Sequence, residues 1–202
     1  MAFIGNDVEY GLHCLLWLAG RGPEPTMASS RDLAELQGVS PSFVAKILPK
    51  LEKAGILAAS EGLRGGYRLA RPADRISVLD VVDATEGEKP LFNCREIRGR
   101  CALFRDGEPP PAWAIDGVCG VHAVMLRAER AMRDELARTT IADLARVVER
   151  KAPGGFGAEA QAWLSARVAR RRDVPRQDAE RRRGIRPRSE PRPFPPRKGA
   201  FR

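Results

Sequence analysis

The spacing of apolar residues along the chain changes from segment to segment, and those changes mark the elements. Val8, Leu12, Leu15, Leu16 and Ala19 recur at three- and four-residue steps, predicting a first helix capped by Asn6 or Asp7. Gly22, Pro23 and Pro25 end it in a loop. Ser29 and Asp32 form a Ser-x-x-Asp capping box before Leu33 and Leu36, so a short second helix opens there, and Gly38 closes it. Ser40 and Pro41 then begin a third helix whose buried stripe is Val44, Ile47, Leu48 and Leu51. Pro49 falls inside that helix and should bend it or loosen its last turn.

Past the third helix the pattern shortens. Residues 56–60 and 67–70 read as two strands, joined by the glycine-rich connection Glu61-Gly62-Leu63-Arg64-Gly65-Gly66. Ser77 starts a further helix that Gly87 closes. Residues 88–118 lack periodicity and carry Pro90 and Pro109 to Pro111, as a loop does. From Cys119 to about Arg138 a long helix is expected, with Val121, Val124, Met125, Ala128, Met132 and Leu136 along one side. Thr140 and Asp143 box the start of a last packing helix. After Lys151 glycine, proline and arginine dominate. Only residues 158–168 could be helical, and the stretch 151–202 reads as a mostly disordered tail.

These elements give a mainly α fold with a small β-hairpin wing: a winged helix-turn-helix over residues 1–87, a loop over 88–118, and a long helix with a final packing helix over 119–150. Charge changes the picture less than its total suggests. The net charge is +9, yet residues 151–202 hold 15 basic against 5 acidic side chains, which leaves 20 basic and 21 acidic in residues 1–150. The folded body is therefore near neutral, and total charge says nothing decisive about its work.

Local charge says more. Residues 46–75 hold seven basic side chains (Lys46, Lys50, Lys53, Arg64, Arg68, Arg71 and Arg75) against Glu52, Glu61 and Asp74, a local charge of +4. With the buried stripe of the third helix turned inward, Ser42, Lys46, Lys50 and Lys53 face outward. There the helix start would reach base edges and the lysines would meet phosphates. Arg64 at the hairpin tip is placed to enter a minor groove. The glycine-rich tip is not a nucleotide loop, because no Gly-Lys-Ser/Thr follows it and no helix begins there. Surface lysines on amphipathic helices are ordinary in themselves. The hairpin directly behind the third helix is what points to double-stranded DNA.

The stretches Ser29-Ser30-Arg31-Asp32-Leu33-Ala34, Val39-Ser40-Pro41-Ser42-Phe43-Val44, Leu51-Glu52-Lys53-Ala54-Gly55-Ile56-Leu57, Gly65-Gly66-Tyr67-Arg68-Leu69-Ala70 and Ser77-Val78-Leu79-Asp80-Val81-Val82 follow one another in order. In these the chain resembles the Rrf2 (Rrf-two) family of bacterial transcriptional regulators, which includes iron–sulfur, nitric-oxide and iron-responsive repressors. The resemblance covers residues 1 to about 150. It implies a homodimer joined by the long helix at 119–138, bound to a palindromic operator with its wings in minor grooves. The implied DNA contacts are Ser29, Arg31, Ser40, Ser42, Lys46, Lys50, Arg64, Gly65 and Gly66. Family wings often begin Arg-Gly, whereas this one has Glu61-Gly62 and places its arginine later, at Arg64.

Cys94, Cys101 and Cys119, with His122, form the second constellation. Thiolates are the usual ligands of iron–sulfur clusters, and in cluster-bearing family members three cysteines lie in this region. Cys119 and His122 stand at i and i+3, on one face of a helix start. The gap of 17 residues between Cys101 and Cys119 exceeds the family's usual handful, though loop closure costs grow slowly with length. An iron–sulfur cluster (2Fe–2S or 4Fe–4S) is the ligand that the resemblance implies. A Cys₃His zinc site and unliganded thiols remain open. Cys14, beside Leu15 and Leu16, reads as a packing residue.

The remaining expectations are exclusions. Asp7 and Glu9 precede the apolar run of the first helix, which is too short to span a bilayer, so no targeting or membrane segment is expected and the cytoplasm is the expected compartment. Two histidines, no nucleophile motif and no supported carboxylate pair argue against an enzyme or a small-molecule substrate. The arginine runs of the tail fit either added phosphate contacts or a solvated extension.

Overall fold

The structure is a computed structural model that describes residues 4–20, 26–62, 65–104 and 108–172. Helices α1 (Asn6–Leu18), α2 (Ser30–Gln37) and α3 (Pro41–Lys53) open the chain. Strands β1 (Leu57–Ser60) and β2 (Gly66–Leu69) pair antiparallel, with Leu57 opposite Leu69 and Ser60 opposite Gly66. Then come α4 (Val78–Glu86), the single turn α5 (Ala112–Ile115), the long α6 (Gly120–Arg138), α7 (Ile141–Lys151) and α8 (Phe156–Arg172). No described helix is long and apolar enough to cross a membrane.

The core is the sum of the inward stripes. Leu15 and Leu18 of α1, Leu33 of α2, and Val44, Ile47, Leu48 and Leu51 of α3 meet Ile56, Leu57, Ile76, Val81 and Ile141. Each such side chain contributes about 1.5–3 kcal/mol by leaving water. Cys14 is fully buried among them, as a packing residue would be. Gly11 lets α1 lie close to its neighbours, since a Cβ there would already touch Ile47 and Val81.

Capping chemistry follows the sequence at three helices and departs from it at two. Ser29–Asp32, Ser77–Asp80 and Thr140–Asp143 all form reciprocal boxes, each satisfying two backbone N–H groups that a helix start leaves orphaned. Gly38 closes α2 at φ 67°, the left-handed conformation that glycine adopts without Cβ strain. The first helix, by contrast, is preceded by Gly5 and has no side-chain cap, so neither Asn6 nor Asp7 plays that part. Ser40 is the residue before α3, but its hydroxyl pairs with that of Ser42 at 2.8 Å and caps nothing.

The strands fall one residue from their expected places, at 57–60 and 66–69. The larger difference lies just after Lys151. The helix that the sequence allows at 158–168 is longer, forming α8 over Phe156–Arg172, and it buries Ala160 and Leu164. Leu164 belongs to the main core. The folded body thus extends to residue 172, and the arginine run 181–183 lies outside the described residues.

Candidate nucleic-acid interface and cysteine loop

The helix-turn-helix and the wing are held together by backbone, not only by side-chain packing. Tyr67 of β2 and Ala28, next to the cap of α2, exchange both hydrogen bonds: the Ala28 N–H donates to the Tyr67 carbonyl at 3.1 Å, and the Tyr67 N–H to the Ala28 carbonyl at 2.8 Å. Gly66 permits this approach, because a Cβ there would stand 2.8 Å from the Ala28 carbonyl oxygen. Gly65 is equally constrained, against the Ser60 carbonyl, and its N–H donates to the Gly62 carbonyl at 2.8 Å. The two glycines therefore have steric duties at the turn end of the hairpin. Arg64 lies outside the described residues.

The predicted contact residues divide into those left free and those drawn inward. Arg31, Ser40, Ser42 and Lys46 are exposed, as are Lys53 and Arg68, so the start of α3 and the wing present polar and cationic groups to solvent. Ser29 is committed: its hydroxyl donates to the Asp32 carboxylate at 2.7 Å and accepts from the Asp32 N–H at 3.2 Å. Lys50, expected on the outward face, turns instead to α1 and α4. Its ammonium donates to Asp7 Oδ2 at 2.8 Å and to the Thr85 carbonyl at 3.0 Å. Arg71 is likewise drawn inward, 3.3 Å from Asp80. Sequence spacing could assign Lys50 to a face of α3, but not reveal the carboxylate waiting across the groove.

The loop between α4 and α6 is folded back by one side chain. The Arg98 guanidinium donates to the carbonyls of Ile115, Asp116 and Gly117 at 3.1, 3.3 and 3.0 Å, and to both carboxylate oxygens of Glu96 at 2.6 and 2.7 Å. This clasp returns the far end of the long gap to its beginning. Hydrogen bonding to Arg98, and then the charge of that guanidinium, hold the Glu96 carboxyl below its usual range. The Arg98 guanidinium is pushed up, first by the hydrogen bond and charge of Glu96 and then, more weakly, by its proximity to Cys119 and Cys94. Glu96 also feels the charge of His122, whose ring lies 6.1 Å from that of Phe92. Glu96 takes φ 44°, alone among the described non-glycine residues in the left-handed region, where strain collects at functional sites.

Cys94, Cys119 and His122 thus share one neighbourhood, centred on Arg98 and Glu96. All three are half-buried, whereas Cys101 is exposed. Cys119 is the residue that starts α6. As a donor set, thiolates and an imidazole suit an iron–sulfur cluster. As arranged here they do not fit one: among the described residues no three His, Cys, Asp or Glu side chains are gathered closely enough to hold a metal ion. Arg98 and Glu96, which organise the loop, carry no recognisable pattern in sequence.

A wing bonded by backbone to the approach of a helix-turn-helix, then a cysteine loop and a long helix, is an architecture with known relatives. The family model described as "Rrf2: Iron-dependent Transcriptional regulator" matches residues 4–147. The chain belongs to the Rrf2 family. The rrf2 protein of Nitratidesulfovibrio vulgaris is 35% identical over 138 residues, which cover 68% of this chain and 83% of that protein. A Mycobacterium tuberculosis protein named as a putative HTH-type transcriptional regulator is 36% identical over 138 residues, covering 68% and 77%. Among solved structures, the oxidised form of Staphylococcus aureus CymR superposes with TM-score 0.50 at 26% identity, over 71% of this chain and 96% of that one. IscR of T. potens gives TM-score 0.52 at 21% identity, over 76% and 94%, which shows the shared fold. Rrf2 proteins are transcriptional regulators, not enzymes, and this chain is an Rrf2-type transcriptional regulator whose partner is DNA. The helix α8 lies beyond the stretch that the family model matches.

Proposed function

We propose that two copies of this chain, joined along α6, bind a palindromic DNA operator. The observation that carries this reading is the exposed row Ser40, Ser42 and Lys46 at the start of α3, beside a wing fixed to the cap of α2 by the Ala28–Tyr67 pair. The start of α3 enters the major groove, Lys46 and Arg31 meet phosphates, and the Arg64 tip with Gly65 and Gly66 meets the minor groove. Dimerisation is supported by α6 itself: none of its residues is fully buried, and Val121 and Val124, one turn apart on one side, are 59% and 51% exposed. Such a face calls for a partner surface.

Control is assigned to the loop that Arg98 folds. Ligation or oxidation of Cys94, Cys101 and Cys119, with His122, alters the loop at the base of α6, and α6 is tied to α4 by the Arg133–Asp83 pair at 2.9 and 3.0 Å. An iron–sulfur cluster is the ligand that the family's iron dependence favours. Because the donors are not assembled in this arrangement, the loop must rearrange, Cys101 included, for a cluster to be held. A zinc site or free thiols is the second reading, favoured by the exposure of Cys101.

The test is anaerobic purification of the full chain with iron, sulfide and zinc analysis, followed by operator affinity before and after metal removal. Stoichiometric iron and sulfide, with affinities that differ between the two forms, is the expected result. Zinc without sulfide selects the second reading. Recovery of no DNA from a randomised pool would remove the operator reading altogether.

A further inference from the structure

We infer that the C-terminal end of α8 is an accessory DNA-binding element, which brings Arg170 to the phosphate backbone beside the helix-turn-helix. The inference rests on the DNA-binding reading above and adds a surface that the family's matched region lacks.

Three anchors fix α8. Near its start, Gln161 Nε2 donates to the Trp17 carbonyl at 2.9 Å, and its Oε1 accepts from the Thr26 hydroxyl at 2.5 Å. Gly20 makes room for that amide, since a Cβ there would collide with it. At the middle, Leu164 is 1% exposed in the main core. Further on, the Arg167 guanidinium pairs with Glu35 of α2 and stacks 4.0 Å from the centre of the Trp163 ring. The helix therefore runs from the end of α1 and the approach to α2 toward the C-terminal half of α2.

That direction has a consequence for charge. In a helix-turn-helix the first helix crosses the sugar–phosphate backbone while the second enters the groove. Here the crossing helix is α2, and it carries an acidic side chain, Glu35, half exposed. A carboxylate there opposes phosphate. Arg167 offsets it. From Arg167 the helix continues to Arg172, a further rise of about 7 Å, or somewhat more than one turn. This carries Arg170, which is exposed, past Glu35 in the direction of the Gly38 turn and the start of α3. Residues 167, 170, 171 and 172 are all arginine, so the end of α8 adds cationic charge where the body of the protein is otherwise near neutral. Arginine against phosphate gives affinity without reading sequence.

The test uses the full chain and a labelled duplex that the wild type recovers from a randomised pool, with a scrambled duplex of equal length beside it. Replacing Arg170 by Gln is expected to flatten the slope of log K against log salt by about 0.9 per protomer, the contribution of one phosphate no longer neutralised. The ratio of affinities for selected and scrambled duplexes should stay unchanged, as phosphate recognition requires. Arg170→Lys, which keeps the charge at this exposed position, should keep the slope. An unchanged slope in Arg170→Gln overturns the inference, and so does a collapsed ratio at constant slope. A wild-type chain that recovers no duplex fails the parent reading instead, which keeps the two failures apart.

Discussion

The Lys50 ammonium sits 2.8 Å from the Asp7 carboxylate and 3.0 Å from the Thr85 carbonyl, joining α3 to α1 and α4. A side chain that helical spacing places among the DNA contacts is thereby made a strut of the fold. Lys46, one turn earlier, is exposed. The two lysines of one helix should then fail in different ways.

Lys50→Gln is expected to cost about 0.5–1 kcal/mol, a modest figure because the two side chains are 40% and 33% exposed. Thermal unfolding would show this as a drop of a few degrees, with the salt slope of DNA binding unaltered. Lys46→Gln should do the reverse, flattening the slope by about 0.9 at constant melting temperature. Equal salt slopes for the two variants would show that Lys50 contacts DNA after all.

Burial pushes the Cys14 thiol up to about 11 from 9.0, partly countered by a hydrogen bond from Gln37. In the unfolded chain the thiol ionises near 9.0, while the folded chain holds its proton to about 11. Rising pH therefore favours unfolding across that window, and the stability present below the unfolded value is lost as pH approaches the folded one, at about 1 kcal/mol per pH unit. Denaturant unfolding across this window should be less pH-dependent in Cys14→Ala than in wild type. Identical slopes would mean that another group dominates.

Arg98→Gln removes the clasp on the carbonyls of residues 115–117 and on Glu96. Amide hydrogen exchange over residues 112–119 should accelerate, while exchange in α1 to α4 stays as it was. No acceleration would show that the loop is held by packing, such as the Phe104–Trp113 edge-to-face pair, and not by Arg98.

Gly20→Ala forces the Gln161 amide from its place and forfeits its bonds to Trp17 and Thr26. A destabilisation of about 1 kcal/mol is expected, with a change in tryptophan fluorescence as Trp163 shifts. Gln161→Ala should cost a similar amount, and the double variant little more than either, because both delete the same interaction. Full additivity would place the effect of Gly20 elsewhere.

The local chemistry of the chain is legible in its sequence. Capping boxes at Ser29, Ser77 and Thr140, the αL glycine at Gly38 and the stripe Val44, Ile47, Leu48, Leu51 depend on residues a few positions apart, and such neighbours meet whenever a helix forms. The winged fold and the family follow from those same short-range patterns. Ser40 misleads for a local reason: its hydroxyl has a competing partner two residues on, in Ser42.

What needed the tertiary structure was every relationship between distant positions. Lys50 meets Asp7 across 43 residues, Gln161 meets the Trp17 carbonyl across 144, and Arg98 reaches residues 115–117 over a long proline-containing loop. No periodicity encodes such pairs, because they arise only when separate elements pack. α8 is the clearest case. Its sequence, mostly alanine and arginine, allows a short helix at 158–168 but gives no sign that this helix packs on the body. Leu164 and Gln161 become structural only once α1 and α2 provide the surface they fit. Sequence alone determined a winged helix-turn-helix regulator with a cysteine loop. Only packing decided which lysine faces outward, what folds the loop, and that the helix after residue 155 belongs to the body, since burial and ion pairing depend on distance in space and not along the chain.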